Sequence, residues 1–481
     1  MKICVVGAGT AGLIAALTLK NRFKNFNIQI IKSDKVGIVG VGEGSTEHWK
    51  QFCNYNKISI YELIKETDAT FKYGIMFKDW KKQPYFHSIL GNISNVLLGQ
   101  YQAGYAYCIN NNLKPKEYTH SFHWDNKISN KDLPNQFHFN TLKLNKFLLK
   151  KCKEISIEII DDEITKINLN EKNIDSIESS FKKYKSDFYI DCTGFKKLLI
   201  SKLGAKWVSY KKYLPMNEAI AFATEDTEEY PPFTISKAMA AGWMWRIPTQ
   251  GRWGNGYVFN NKYINAKQAQ KECEKYLGHS IKVTKNITFE AGSLDRAWIG
   301  NCVAVGLSSN FIEPLEASSI GISIQQSFLL MHLITNYHKN DVNLYNKKFT
   351  DIIENTRDFV LLHYLCGKKG SNFWDEFKPN LPESLSKNLE TWKHRLPLDE
   401  DFNGLYLLFK PENFIIILKE LNLLNKKTIK KEFNSLSNNH KNWVLDSMKT
   451  AIKNNNYKSN YHNHKDFLKN LITSNETDIL Y

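Results

Sequence analysis

The chain has 481 residues, 42% of them apolar and 13% aromatic, and a formal net charge of +16. This length exceeds one compact core, since single cores stop growing at roughly 250–300 residues. No apolar run approaches the roughly 20 residues of a membrane-spanning helix, and the strand pattern at the amino terminus leaves no room for a signal peptide. We therefore expect a cytoplasmic protein with no membrane partner.

The positive charge is spread along the chain as lysine and is not clustered as arginine. Nucleic-acid readers usually place arginine beside stacking aromatic residues, so we expect no nucleic-acid partner. The eight cysteines are scattered and lack the paired spacing of a zinc site. This pattern predicts reduced, mostly buried thiols and no metal.

The first 33 residues predict a βαβ unit. "KICVV" is an apolar, β-branched run, "TAGLIAALTLKN" is typical of a helix, and "NIQIIKS" is typical of the next strand. Gly7, Gly9 and Gly12 match G-x-G-x-x-G, where they would allow a tight turn, admit a pyrophosphate and let the helix pack on the strand. The acid usual after the second strand is replaced by Lys32, and Asp34 follows. The unit predicts dinucleotide binding.

Further along, "ATFKYGIMFKDW" alternates between two faces. Phe71 and Tyr73 share one face with later apolar residues, and Lys72 lies on the other. This predicts a strand with a cavity opposite its packed side. Because Phe-Lys pairs recur in this lysine-rich chain, the pattern alone would also fit a surface lysine.

Two later segments repeat the strand-then-glycine pattern. "SDFYIDCTGF" ends at a glycine after an acid, and "NCVAVGLSSN" leads into a long helical run. Such separated backbone approaches favour FAD, because this cofactor is long and extended. We therefore predict an α/β protein with a Rossmann-like FAD-binding core.

The predicted organisation is an FAD-binding core over residues 1–340, interrupted by β-rich substrate segments at about 40–150 and 205–290. A mostly helical region, 341–481, is expected to cover the substrate site. Its Lys- and Asn-rich end, 426–481, is expected to form peripheral helices.

The motifs "GAGTAG", "GVGEGST", "ATFKYGIMFKDW", "GWMWRIP" and "GLSSNFIEPLEASS" occur in this order, and together they resemble the flavin-dependent tryptophan halogenase family. The resemblance covers roughly residues 1–425. It implies that FADH2 and O2 form a flavin C4a-hydroperoxide, which oxidises chloride, bromide or iodide to hypohalous acid for electrophilic halogenation of an aromatic substrate. It also implies a separate flavin reductase that supplies FADH2.

The resemblance assigns roles to specific residues. Lys72 would receive hypohalous acid, either by hydrogen bonding or as a haloamine, and Glu316 would orient the reagent or take the ring proton. On local sequence alone, Glu316 would equally fit a helix-start acid. The flavin–substrate barrier would be Trp243, Trp245, Ile247 and Pro248, although two tryptophans at a spacing of two also fit an ordinary core strand.

The cofactor and halide sites follow from the same resemblance. The predicted FAD-binding residues are Gly7, Gly9, Thr10, Ala11, Gly12, Gly40, Val41, Gly42, Glu43, Asp191, Gly194 and Gly306. The backbone at Ser318 and Ser319 would bind halide at a helix start. Here the chain reads Glu-Ala-Ser-Ser where the family often reads Glu-Ser-Thr-Gly, which leaves halide preference open.

The substrate is expected to be an indole- or phenol-like aromatic other than free tryptophan. Family members that act on free tryptophan use a tyrosine pair where this chain has Asn413 and Phe414. The predicted substrate wall also includes Phe86, His87 and Ser88. The competing hypotheses are a flavin monooxygenase and a non-catalytic flavin-binding protein that docks a partner; a homodimer is expected only from base rates.

Overall fold

The computed structural model describes residues 1–38, 40, 43–88, 101–113, 126–129, 136–455 and 461–474. Along the chain, the described strands are β1 (Lys2–Val6), β2 (Asn27–Lys32), β3 (Glu43–Gly44), β4 (Thr70–Lys72), β5 (Gly74–Lys78), β6 (Tyr85–Ser88), β7 (Lys127–Ser129), β8 (Gln136–Phe139), β9 (Glu158–Asp161), β10 (Lys166–Asn170), β11 (Asn173–Glu178), β12 (Lys183–Tyr184), β13 (Phe188–Asp191), β14 (Trp207–Ser209), β15 (Glu218–Thr224), β16 (Thr234–Met239), β17 (Gly242–Thr249), β18 (Arg252–Phe259), β19 (Val283–Thr288), β20 (Gly292–Leu294), β21 (Trp298–Ile299), β22 (Cys302–Ala304), β23 (Asn310–Phe311) and β24 (Tyr461–Asn463).

The described helices are α1 (Thr10–Arg22), α2 (His48–Tyr55), α3 (Ile60–Thr67), α4 (Tyr101–Asn110), α5 (Thr141–Glu154), α6 (Ala266–Leu277), α7 (Ser318–Leu333), α8 (Lys339–His363), α9 (Asn372–Glu376), α10 (Glu383–Thr391), α11 (Pro411–Glu420), α12 (Lys426–Asn434), α13 (Asn438–Asn455) and α14 (His464–Ser474).

A six-stranded sheet carries the amino-terminal motif. Its strand order is β21-β22-β13-β1-β2-β9, and its strands are parallel except for the β21–β22 pair. β1 lies inside the sheet, which explains its nearly continuous apolar sequence, because a parallel strand is covered on both faces. α1 and α7 pack on each other beside this sheet. The predicted α/β class with a Rossmann-like core is confirmed.

A second, seven-stranded sheet has the order β19-β15-β18-β17-β16-β5-β6. Its pairs are antiparallel except for β16–β5, which is parallel. β17 carries the tryptophan motif near the middle of this sheet. The β-rich character expected for the inserted segments is therefore seen in one sheet built from two separate parts of the chain.

The strand predicted around Lys72 is broken into two. β4 belongs to a small sheet of order β3-β8-β4, whereas β5 belongs to the seven-stranded sheet. The break falls at Tyr73, whose backbone N–H donates to the carbonyl of Pro232 at 2.7 Å. The expectation of one continuous strand is wrong, because Tyr73 turns the chain from one sheet into another.

The carboxyl-terminal region is mainly helical from α8 onward, but it is not wholly peripheral. β24 pairs with β7, and His464 is fully buried. The expectation of a peripheral tail is therefore wrong for residues 461–474. Among the described residues, no helix has the length and apolarity needed to cross a bilayer. All eight cysteines are free thiols, and six of them are buried.

Candidate active site

A cavity of about 650 Å³ opens at the carboxyl ends of β1, β2 and β13. The three motif glycines shape its floor differently. Gly7 has a φ of +109°, and a Cβ there would lie 2.2 Å from the Cys192 carbonyl oxygen; a Cβ on Gly12 would lie 2.1 Å from the Gly7 carbonyl oxygen. A Cβ on Gly9 would meet no atom within 4 Å. Gly7 and Gly12 thus allow close chain packing, and Gly9 leaves room at the cavity.

The lining of this cavity fits FAD. Thr10 and Ala11 begin α1 at the cavity, and the helix start has no side-chain cap, so its amide groups can receive phosphate oxygens. The cavity extends from Lys32 and Asp34 at the end of β2 to Trp243 on β17, which suits an extended dinucleotide. Dinucleotide-binding folds usually have an acid at the end of the second strand, where this chain has Lys32. Asp34 supplies a carboxylate two residues later, and Lys32 Nζ lies 2.5 Å from that carboxylate.

Gly194 and Gly306 line the cavity, and both have positive φ values. Asp191 is not among the lining residues. Its buried carboxylate accepts hydrogen bonds from the backbone N–H groups of Leu199 at 2.8 Å and Ile200 at 2.9 Å, and from Thr193. The structure therefore places Asp191 behind the turn that carries Gly194, as a group that orders this turn.

The predicted FAD-binding segment at residues 40–43 is described only in part. Gly40 lies beside Thr141 and is not among the lining residues. Val41, Gly42 and the side chain of Glu43 lie outside the described residues. The backbone of Glu43 begins β3, and the next residue, Gly44, lines the cavity.

The tryptophan motif forms one wall of the cavity. Trp243, Trp245 and Ile247 line it, and the two indole rings lie 6.2 Å apart between centroids. Gly256 on β18 makes room for Trp245, because a Cβ there would lie 2.0 Å from its ring. Pro248 does not line the cavity; its carbonyl accepts a hydrogen bond from Thr70 Oγ1 at 2.7 Å, which joins the tryptophan strand to β4.

Lys72 is buried and not on the surface; it is not a lining residue of the cavity but lies beside Gly44, which is. Its side chain is 1% exposed, and Nζ donates to the Ser45 carbonyl at 2.8 Å. A Cβ on Gly44 would lie 3.5 Å from Lys72 Nζ and 3.4 Å from Ala317 Cβ, so these groups meet around Gly44. Burial lowers the pKa of Lys72 to about 8, although the nearby Glu316 carboxylate acts to raise it. Both protonation states are thus accessible near neutral pH.

The segment before α7 brings backbone amides to the same place. Ala317 adopts a left-handed conformation with φ of +53° and precedes the helix start at Ser318. None of the described side chains caps this helix start, and Ser318 and Ser319 both line the cavity. Because the first N–H groups of a helix have no partners within the helix, they form a candidate anion site.

Glu316 is buried between two histidines. His87 Nδ1 lies 2.9 Å from Oε2 and donates to it; His363 Nε2 lies 2.9 Å from Oε1, although its N–H does not point straight at the oxygen. Burial would raise the pKa of Glu316, but the two imidazoles lower it to about 2. The carboxylate is therefore ionised, and this pairing explains how it tolerates burial at 2% exposure.

Sequence reasoning missed two groups at this site. His363 comes from the end of α8, and only tertiary contacts bring it to Glu316, so no spacing pattern could have indicated it. Glu313 lies in the quoted motif but was not singled out. It accepts a hydrogen bond from Tyr364 Oη at 2.5 Å and lies beside the Trp243 indole; burial raises its pKa to about 8 despite these two groups.

The predicted substrate-wall residues have different surroundings. His87 donates to Glu316, and Asn413 donates to His87 Nε2 at 3.1 Å while its carbonyl accepts from the Lys410 N–H. Phe86 packs against Phe233 on the opposite face of β6. Ser88 is buried at the end of β6, and Phe414 packs in an aromatic cluster with Phe359, Trp392 and Phe402. Of these five residues, His87 contacts the Glu316 carboxylate directly.

Comparison with known proteins identifies the family. Residues 2–432 match the family model described as tryptophan halogenase. The chain is 28% identical to tryptophan 6-halogenase SttH from Streptomyces toxytricini, over 87% of this chain and 88% of that enzyme. It is 25% identical to tryptophan 7-halogenase RebH from Lentzea aerocolonigenes, over 85% of this chain and 86% of that enzyme.

The fold agrees with these matches. The crystal structure of a tryptophan halogenase from Shewanella frigidimarina superposes with a TM-score of 0.90 at 23% identity, covering 98% of this chain and 97% of that one. A family match over most of the chain, together with this fold, shows that the chain belongs to the tryptophan halogenase family and is an FADH2-dependent halogenase.

Proposed function

We propose that this enzyme halogenates an indole- or phenol-like aromatic other than free tryptophan, with Lys72 delivering the halogen. The observation that carries the proposal is the position of Lys72 Nζ, buried beside Gly44 where the cofactor cavity meets Ala317 and the helix start. The helix start at Thr10 and Ala11 would hold the phosphates of reduced FAD, supplied by a separate flavin reductase, and this cofactor would provide with O2 the oxidant that converts halide to hypohalous acid.

Two wall elements keep the halide and the aromatic substrate apart. The amides of Ser318 and Ser319 hold the halide at the cavity, because they are free helix-start donors. Trp243, Trp245 and Ile247 keep an organic substrate out, because two indoles on one strand leave little space and lose little entropy on ordering. Hypohalous acid, which is small, passes to Lys72.

The two possible roles of Lys72, as a hydrogen-bond donor and as a nucleophile, predict opposite changes of turnover with pH. An ammonium group would polarise the oxygen of hypohalous acid by hydrogen bonding, and a neutral amine would form a haloamine. Because the pKa of Lys72 is lowered to about 8, turnover falls through that pH in the first case and rises through it in the second.

Glu316 stabilises the positive charge of this step. A carboxylate with a pKa near 2 stays ionised while the ring becomes cationic, and it can accept the ring proton as the aromatic system is restored. The His87 N–H donates to one carboxylate oxygen and the His363 imidazole lies 2.9 Å from the other, so the carboxylate is held in place as the charge develops.

The substrate proposal rests on Asn413 and Phe414. Neither side chain has a hydroxyl that could bind an amino-acid end group. The Asn413 amide already bonds His87 and Lys410, and Phe414 is packed among aromatic rings. An aromatic without a free amino-acid end is therefore the better candidate.

The test is a reaction of the full-length enzyme with reduced FAD, O2 and chloride, bromide or iodide in turn, against a panel of indoles, phenols and L-tryptophan. Mass spectrometry should find a halogen isotope pattern on an indole or phenol and far less on L-tryptophan. A product that gains only oxygen would indicate a monooxygenase. Flavin binding without product from any substrate would favour the partner-docking protein, and efficient halogenation of L-tryptophan would contradict the substrate proposal.

A further inference from the structure

The last described segment of the chain reaches the strand that carries Lys72. Residues matched by the family model end at 432, whereas this segment comprises β24 and α14. β24 pairs with β7, and His464, the first residue of α14, is 0% exposed. A histidine buried so deeply by a segment outside the family match indicates a specific contact.

That contact is to the backbone of β4. One edge of β4 pairs with β8, and none of the described strands pairs with its other edge. On this open edge, the Phe71 N–H donates to His464 Nε2 at 3.0 Å, and the Tyr73 N–H donates to the Pro232 carbonyl at 2.7 Å. Because a buried backbone N–H must find an acceptor, His464 here replaces a neighbouring strand.

The imidazole is itself held in place. Its Nδ1 lies 3.2 Å from the Tyr230 carbonyl and donates to it, and its ring stacks on Phe71 at a centroid distance of 5.8 Å. The next residue, Lys465, forms a 2.6 Å ion pair with Asp226. Burial lowers the pKa of His464 to about 3, so the ring is neutral and Nε2 keeps its lone pair at neutral pH.

We propose that His464 is a positioning residue for Lys72, which it serves by fixing the open edge of β4 one residue before the lysine. Successive strand side chains point to opposite faces, so the backbone at Phe71 sets the direction of Lys72. That direction must keep Nζ at the Ser45 carbonyl, 2.8 Å away. The inference rests on the role proposed above for Lys72.

The test compares three variants of the full-length enzyme. His464→Leu removes the acceptor, and His464→Gln places an amide oxygen near the position of Nε2 and can restore it. His462→Leu is the matched control, since His462 is exposed on β24 two residues away. Amide hydrogen exchange of the peptide containing Phe71 is measured without flavin or substrate. Steady-state halogenation, FADH2 oxidation and release of free hypohalous acid, trapped by monochlorodimedone, are measured in parallel.

In His464→Leu we expect the Phe71 amide to exchange about tenfold faster, because its hydrogen bond is lost. We expect kcat for halogenation to fall roughly 10- to 100-fold, the usual effect of misplacing a reacting group by about 1 Å. KM for the aromatic and the rate of FADH2 oxidation should stay unchanged, and more hypohalous acid should escape to the trap. His464→Gln should recover most of the loss, and His462→Leu should match the wild type.

Wild-type kcat in a folded His464→Leu enzyme would overturn the inference, as would an equal loss of kcat in His462→Leu. If His464→Leu does not fold, His464→Gln decides: wild-type exchange at Phe71 with a lowered kcat would also overturn it. A wild-type enzyme that halogenates nothing would defeat the proposed function instead, and the exchange of Phe71 would still report whether His464 anchors β4.

Discussion

Two carboxyl groups three positions apart are held in opposite protonation states by their neighbours. Glu316 accepts from His87 and lies against His363, which lower its pKa to about 2. Glu313 is equally buried but faces a phenol and an indole, neither of which carries positive charge, so burial raises its pKa to about 8. The short turn Pro314–Glu316 thus begins next to a neutral acid, Glu313, and ends at an anion, Glu316.

Replacing His363 with phenylalanine tests the first of these states. His363→Phe keeps a ring that can stack on Phe77 but removes the N–H that faces Glu316. The pKa of Glu316 should rise toward its usual value, so the acid limb of the pH profile of kcat should move to higher pH. We expect a several-fold loss of kcat at about pH 4, where the wild-type carboxylate stays ionised and that of His363→Phe is largely protonated, and little change at about pH 6. The same change at exposed His332 should have no effect; an acid limb that does not move would contradict this role of His363.

Replacing Glu313 with glutamine tests the second state through stability. The unfolded carboxyl ionises near pH 4.5 and the folded one near 8, so Glu313 makes the fold lose stability as pH rises from about 4.5 to about 8. Glu313→Gln is neutral at every pH and removes this loss. The Tm of Glu313→Gln relative to the wild type should therefore be higher at pH 8 than at pH 5, by a few degrees. A Tm difference that is equal at the two pH values would show that Glu313 is not protonated in the fold.

At the scale of elements, the site is built from helix starts and strand ends. α1 begins at the glycine turn after β1, and α7 begins after the left-handed Ala317, so two uncapped helix starts face one cavity. Strand ends and helix starts expose backbone donors that a side chain does not have to supply. The cavity therefore suits an anionic cofactor together with a halide.

The glycine turn offers a matched pair of substitutions. In Gly9→Ala, the added methyl meets no protein atom, so the Tm without flavin should be unchanged while the Kd for FAD rises about tenfold or more, because the methyl occupies the space for the pyrophosphate. In Gly12→Ala, the methyl would meet the Gly7 carbonyl, which should lower the free energy of unfolding by about 3 kcal/mol. Unchanged FAD affinity in Gly9→Ala, measured by fluorescence titration, would contradict the predicted pyrophosphate site.

Local pattern was sufficient to predict some elements and not others. The βαβ unit was predictable because its glycines, apolar strand and helix lie within one short segment. The break at Tyr73 was not, because it depends on a hydrogen bond to Pro232, far along the chain. The alternating apolar residues on both sides of that break are all buried, and so the pattern looked continuous. His363 and His464 were missed for the same physical reason, since each acts through a partner from another part of the fold.

In the whole molecule, Lys72 lies where three β-sheets meet. The six-stranded sheet provides the cofactor cavity, the seven-stranded sheet provides the tryptophan wall, and the small sheet β3-β8-β4 carries the lysine beside both. Hydrogen bonds from Thr70 to Pro248 and from Phe71 to His464 tie this small sheet to the tryptophan strand and to the carboxyl-terminal segment. The arrangement fixes one buried amine beside the cofactor cavity.

The most direct test of Lys72 as the amine that delivers the halogen compares Lys72→Ala with Lys78→Ala, a change of an exposed lysine on the next strand, β5. Each enzyme is supplied with reduced FAD, O2, halide and the best aromatic of the panel, and halogenated product and FADH2 oxidation are followed together. We expect that Lys72→Ala still binds and oxidises FADH2 but forms no halogenated product, whereas Lys78→Ala behaves like the wild type. Halogenation by Lys72→Ala at the wild-type rate would contradict it.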